Sequence, residues 1–337
     1  PSRGLGDVYK RQIIYQTNYK NMKLKNLLLI ALVAIVFCGC QSNYQPTSIT
    51  VASYNLRNAN GGDSINGNGW GQRYPVIAKM VQYHDFDIFG TQECFIHQLK
   101  DMKEALPGYD YIGVGRDDGK EKGEHSAIFY RTDKFDVIEK GDFWLSETPD
   151  VPSKGWDAVL PRICSWGHFK CKDTGFEFLF FNLHMDHIGK KARVESAFLV
   201  QDKMKELGKG KNLPAILTGD FNVDQTHQSY DAFVSKGVLC DSYEKCDFRY
   251  ATNGTFNDFD PNSFTESRID HVFVSPSFHV KRYGVLTDTY RSIVGNGEKK
   301  NANDCPEEID IKVYQARTPS DHFPVKVELE FDQHRQK

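Results

Sequence analysis

A layered α/β fold is what this sequence predicts, and two observations carry the expectation. Short apolar, β-branched runs are interspersed along the chain with segments of helical periodicity. The apolar runs also end, again and again, in polar residues: S-Y-N at 53–55, T-Q-E at 91–93, F-N-L-H at 181–184, T-G-D-F-N at 218–222 and R-I-D-H at 268–271. Strand interiors bury, while strand ends present side chains to a common edge, and in layered α/β folds that edge gathers the sites.

Taken in order, Ile49–Asn55 alternates and is β-branched, a strand signal. Tyr74–Tyr83 places Val76, Ile77, Met80 and Val81 at helical spacing. Asp87–Gly90 is a short apolar strand running into Thr91-Gln92-Glu93. Further strands are predicted at Ser126–Tyr130, Ile163–Phe169, Phe176–Asn182, Ala215–Thr218, Ile269–Val274 and Val325–Phe331. A long helix fits Lys190–Leu207, closed by Gly208. Asn58–Arg73, Asp241–Phe264 and Arg291–Pro306 are polar and read as irregular loops, of the kind that form rims beside strand ends. Trp144, Trp156 and Trp166 read as packing residues.

The first residues are set aside. The run D-V-Y-K-R-Q at 7–12 resembles a translated transposon end from sequencing libraries, so residues 1–21 are expected to be non-native read-through, with Met22 as the start. From Met22, two lysines precede a 12-residue apolar run, Leu27 to Cys38, too short to span a bilayer comfortably. Its Gly39-Cys40 ending resembles a bacterial lipobox, although Phe37 stands where Leu is usual. The expectation is a lipoprotein signal at 22–39, a linker at 40–47 and one catalytic domain at 48–332, exported and lipid-anchored as a monomer. Without the leader, 36 basic residues face 44 acidic ones, a net charge of −8. Nucleic acid is therefore not the favoured partner, because a broad basic surface is lacking. Cys240 and Cys246 are near enough in sequence to bridge a loop, and free thiols are an equal expectation.

The polar strand ends gather Asn55, Glu93, Glu124, Asn182, His184, Asp220, Asn222, Asp270, Asp321 and His322. Oxygen-rich sets of this kind suit Mg²⁺ or Mn²⁺ better than Zn²⁺. Acids, two histidines and such an ion are the apparatus of phosphoester hydrolysis: the ion offsets anionic charge, a carboxylate deprotonates water, and donors hold the developing charge.

The ordered set Y-N-L at 54–56, Q-E at 92–93, N-L-H at 182–184, G-D-F-N at 219–222, R-I-D-H at 268–271 and S-D-H-F-P-V at 320–325 resembles the endonuclease/exonuclease/phosphatase superfamily. W-L-S-E-T-P-D at 144–150 and G-W-D-A-V-L-P-R at 155–162 resemble a bacterial subgroup of it. The resemblance implies a DNase I-like four-layer α-β-β-α sandwich, two packed mixed β-sheets flanked by helices. It implies Glu93 as principal metal ligand, with Asn55 beside it and Asp321 nearby. It makes Asp220 the base or orienter of water and gives Asn222 the holding of substrate or water. His322 would contact the phosphate, oriented by Asp270, and His184 would be a second such histidine, paired with Glu124. Asn182 shares a face with His184 and would point at the phosphate, while Arg162 would match a phosphate-contacting arginine. Each histidine–carboxylate pair would favour an imidazolium.

Three functions compete. The leading one is a Mg²⁺- or Mn²⁺-dependent phosphoesterase, with a nonspecific nuclease as its variant. A silent phospho-ligand binding lipoprotein would have lost Glu93, Asp220 or His322, and all three are present. A zinc hydrolase could centre on His184, Asp186 and His187. Strand alternation sends His184 and Asp186 to one face and His187 to the other, so they converge only if the chain turns after Met185. Asp186 and His187 read as shaping the loop into the 190–207 helix, and His271 as packing beside Asp270.

Overall fold

A computed structural model describes residues 9–20, 22, 23, 25, 46–211, 213–299, 306, 308, 309 and 311–332. The chain divides into Pro1–Pro46 and Thr47–Lys337. In the first unit residues 9–20 are helical and exposed. The apolar run and Cys40 lie outside the described residues, as does nearly all of the expected leader. Among the described residues, no helix is long and apolar enough to cross a membrane.

The second unit stacks two mixed sheets. The first has seven strands in the spatial order β10 (Phe248–Tyr250), β12 (His279–Val285), β15 (Val325–Phe331), β1 (Thr47–Asn55), β2 (Ile88–Gln92), β4 (Ile128–Arg131) and β3 (Tyr109–Ile112). The second has six: β5 (Phe135–Trp144), β6 (Ile163–Cys171), β7 (Glu177–His184), β8 (Ala215–Asp220), β11 (Asp270–Val274) and β9 (Cys240–Asp241). The helices are α1 (Gly61–Ile65), α2 (Trp70–Tyr83), α3 (Ile96–Ala105), α4 (Lys190–Leu207), α5 (Gln228–Val234) and α6 (Ser242–Lys245). A small ribbon pairs β13 (Tyr290–Ile293) with β14 (Tyr314–Arg317).

Alternation along each strand builds the layers. Ile49, Val51, Phe178, Phe180, Ile216, Val272 and Val327 face inward and form the core between the sheets. Leu179, Phe181, Leu183, Leu217 and Phe273 face outward onto Ala197, Val200 and Met204 of α4. Ala52, Tyr54 and Phe89 face outward onto Ile77 and Val81 of α2 and Leu99 and Met102 of α3. Three apolar gaps therefore separate four layers, helix, sheet, sheet and helix, as the resemblance implied. On the inner faces the apolar stripe gives way to polar residues toward one edge: Phe178, Phe180, Asn182, His184 on β7, and Ile216, Thr218, Asp220 on β8.

The strand at Val325–Phe331 and the helix at Lys190–Leu207 have the predicted bounds. The irregular segments hold more order than expected. Asn58–Arg73 contains α1 and the first turn of α2, Asp241–Phe264 contains α6 and β10, and Arg291–Pro306 opens with most of β13. The sequence reading also passed over β5, whose middle is exposed and charged because it lies at a sheet edge. The described cysteines are free, Cys240 and Cys246 among them.

Candidate active site

Strand register assembles the polar edge. β7 and β8 run parallel with His184 opposite Asp220, and β8 and β11 run antiparallel with Asp220 opposite Asp270. Three functional side chains thus stand in one row of the second sheet. From the first sheet come Asn55 at the end of β1, Glu93 just past β2, and Asp321 and His322 just before β15. Between the rows opens a cleft of about 490 Å³.

At one end the acids converge. Asn55 Nδ2 donates to Glu93 Oε1 at 3.0 Å and to Asp220 Oδ2 at 2.9 Å. Asn58 donates to Glu93 Oε2 through its backbone N–H at 3.2 Å and its side chain at 3.1 Å. Glu93 sits at φ +67°, a left-handed conformation that costs a non-glycine residue energy and concentrates at functional positions. Beneath this end, fully buried Arg73 donates to the carbonyls of Leu56, Arg57, Asn68 and Pro319. It ties the exit of β1 to the approach of the S-D-H segment.

Ligand atoms of Glu93, Asp220 and His322 lie within 4.8 Å of one another. Asp321, which lines the same cleft, has its carboxylate 3.3 Å from Arg57 Nη1. Burial disfavours the His322 cation, but Asp270, hydrogen-bonded to Nδ1 at 2.8 Å, and Asp220 outweigh it and push the pKa well up. A cationic imidazole offers a proton rather than a lone pair, so the donor set that fits a hard divalent ion is Glu93 with Asp220. Burial and the charge of Asp270 push the Asp220 carboxyl up to about 7, against the pull of His322 and Asn55. A cation there would relieve that uncompensated charge.

The opposite end is built for an anion. Arg162 is buried and lines the cleft. Its Nε is 3.4 Å from Asp186 and its Nη2 is 3.0 Å from His187 Nδ1, while Nη1 has no hydrogen-bond partner. His184 lies between the two ends. Burial, then the charges of Arg162 and Arg116, push its pKa well below the usual histidine range.

Three expectations need correction, and the disfavoured zinc alternative gains no support. The His184–Glu124 pair is not formed as a hydrogen bond: the two atoms are 3.9 Å apart, and Arg116 holds Glu124 at 2.5 Å. Burial and the charges of Arg162 and Arg116 disfavour the His184 cation, whereas Asp270 and Asp220 favour that of His322, so the two histidines are chemically unlike. Asn182 does not reach the substrate face. Its Nδ2 donates to Thr91 O and Ala127 O at 2.9 Å each, and its Oδ1 accepts from Gln92 at 2.7 Å and Thr218 at 3.0 Å. It is a fully satisfied strut between the sheets, and a Cβ on Gly90 would lie 2.1 Å from its Oδ1. The zinc alternative fails because Asp186 is engaged by Arg162 and by the N–H groups of Ile188 and Gly189. His187, expected only to shape a loop, lines the cleft beside Arg162.

Asn222 and Glu124 also face the cleft. Asn222, at φ +50°, lines the cleft and donates to Met185 O at 3.0 Å. Glu124 lines the cleft, and burial raises its pKa. Arg57, Asn58, Leu160, Phe256 and Ile269 also line it and were passed over in the sequence. Phe256 carried a readable signal as an aromatic in a polar loop, and Ile269 lies within the R-I-D-H motif itself.

The sequence profile of the Endonuclease/Exonuclease/phosphatase family matches residues 52–322. A family protein from Bacteroides thetaiotaomicron is 87% identical, with a TM-score of 0.80 over 86% of this chain and 100% of that one. A mannosyl-6-phosphatase of the same species is 86% identical, with a TM-score of 0.78 over 84% of this chain and 100% of its own. A Bacteroides vulgatus homologue is 36% identical, with a TM-score of 0.72 over 85% and 100% of the two chains. With the match spanning both sheets and every strand end that lines the cleft, the chain belongs to the endonuclease/exonuclease/phosphatase family, whose members hydrolyse phosphoester bonds.

Proposed function

We propose that this protein is a Mg²⁺- or Mn²⁺-dependent phosphomonoesterase that releases phosphate from the 6-position of a mannosyl group. The observation that carries the reading is the cleft's polarity: buried Arg162 with an unpartnered Nη1 on one side, and Glu93 with Asp220 on the other. A terminal phosphate would fill both demands. The likeness to a mannosyl-6-phosphatase supports the choice of ester.

Glu93 and Asp220 would hold the ion, with Asn55 orienting both carboxylates. When bound, the ion offsets the phosphate's charge. Asp220 takes a proton from the attacking water as the water oxygen bonds to phosphorus; the bond from phosphorus to the sugar oxygen breaks, and that oxygen leaves as a hydroxyl with a proton from solvent. Asn222 stands beside Asp220 to orient that water, its N–H donating to Asp220 Oδ1 at 2.9 Å. His322, held cationic by Asp270, and Arg162 bind phosphate oxygens on opposite sides. The expected lipid anchor at Cys40 would place the enzyme at the cell envelope, and Cys40→Ser should release it to the soluble fraction.

The test is a panel of mannose 6-phosphate, bis-nitrophenyl phosphate and plasmid DNA with Mg²⁺ or Mn²⁺. Mannose 6-phosphate should turn over fastest, EDTA should abolish activity, and Glu93→Gln should require far more metal. Faster cleavage of diester or DNA, or turnover persisting in EDTA, would overturn the proposal.

A further inference from the structure

A second cavity, of about 390 Å³, lies on the other side of the wall that bounds the cleft. Three chain segments line both. Asn222 faces the cleft and Gln225 the second cavity; Phe256 faces the cleft and Gly254 the second cavity; Ile269 and Arg268, adjacent in sequence, face one each. At Arg268–Ile269 consecutive residues of one chain segment line the two cavities. The loop forming the wall is braced from within, with Gly254 N–H donating to Thr265 O at 2.7 Å and Thr255 N–H to Ser267 O at 3.2 Å.

The chemistry of this cavity excludes a second phosphate. Its one cation, Arg268, is neutralised by Asp241 at 2.9 Å, and Glu244 and Glu266 add negative charge. Its amides are already used, Asn253 on Ser263 O and Thr265 N–H and Gln225 on Glu266 O and Arg268 N–H. Glu244 lies 3.9 Å from the same guanidinium, which leaves the ring of Phe264, 71% exposed, and the carboxylate of Glu266. A flat apolar ring beside a carboxylate acceptor matches a pyranose, which has one C–H face and a hydroxyl edge.

We infer that the second cavity is a subsite for a neutral sugar of the same glycan, so that the substrate is a phosphorylated mannosyl unit within an oligosaccharide rather than a free hexose phosphate. This rests on the reading of the cleft as a mannosyl-6-phosphate site. Phe264 would stack on the neighbouring sugar, and Glu266 would accept from its hydroxyls.

The test compares mannose 6-phosphate with mannotriose phosphorylated on its terminal residue. The wild-type enzyme should favour the trisaccharide at least tenfold in kcat/KM, through KM. Phe264→Ala should remove that advantage and leave turnover of mannose 6-phosphate unchanged. Glu266→Gln is the second variant should the first fold poorly. Calorimetry with unphosphorylated mannotriose gives an independent readout: binding by the wild type, lost in Phe264→Ala. Equal kcat/KM on the two substrates, an advantage kept by both variants, or absence of mannotriose binding would overturn the subsite. If neither phosphosugar is hydrolysed while another monoester is, the reading of the cleft falls, and calorimetry still decides the subsite.

Discussion

Replacing Asn182 separates a structural from a catalytic role. Its four hydrogen bonds reach β2, β8 and Ala127, so Asn182→Ala cuts the polar tie between the sheets. A net hydrogen bond contributes about 1 kcal/mol, and a buried donor left unsatisfied costs about 1–3 kcal/mol. Thr218 keeps a second partner in Phe181 O, and Ala127 O still accepts from Thr91 N–H. Gln92 Nε2 retains only Ser53 Oγ at 3.4 Å. The loss is therefore below the sum of four bonds plus penalties, about 3 kcal/mol, equivalent to roughly 150-fold in the folding equilibrium. At about 2 °C per kcal/mol for a domain of this size, Tm should fall by about 6 °C. Urea unfolding followed by tryptophan fluorescence measures it, with turnover assayed below the transition. Turnover per folded molecule should stay within a few-fold of wild type. An unchanged urea midpoint with turnover lost a hundredfold would refute the reasoning and return Asn182 to the substrate.

Two further perturbations address the charges of the cleft. Arg162→Met should lower kcat/KM by about a hundredfold, since a charge-assisted contact to phosphate is lost while backbone N–H groups still satisfy Asp186; unchanged kinetics would place the phosphate elsewhere. In EDTA, Asp220 binds in the fold a proton that the unfolded chain releases near 3.8, because its carboxyl is pushed up to about 7. The native state then holds more protons between these values, so its contribution to stability falls as pH rises from about 4 to about 7. The wild-type Tm should drop across that window relative to Asp220→Asn, and parallel curves in a fluorimetric melt would contradict the assignment.

The four layers were legible because inner-face alternation was kept through β1, β7 and β8. The site was legible because register turns scattered strand ends into one row, His184, Asp220 and Asp270. What failed has physical reasons. Period-two alternation tells which face a residue takes but not its depth along the strand. Asn182 and His184 share a face, yet one lies under the backbone of Gly90 and the other opens onto the cleft. The low pKa of His184 comes from its burial and from Arg162 and Arg116, the last 68 positions away in the chain and also holding Glu124. His187 enters the cleft only because Asp186 folds the turn back through its bonds to Ile188 and Gly189.

The Arg73 clamp has a consequence for biogenesis. It joins carbonyls 56 and 57 to carbonyl 319, and β1 needs β15 along one whole side. Until the ribosome has released the last strand, β1 is an open edge, the guanidinium lacks one of its acceptors and His322 has no frame. The cleft therefore exists only once β15 is in place, and a polypeptide cut short before residue 325 should be recognised as unfolded rather than persist as a weak hydrolase.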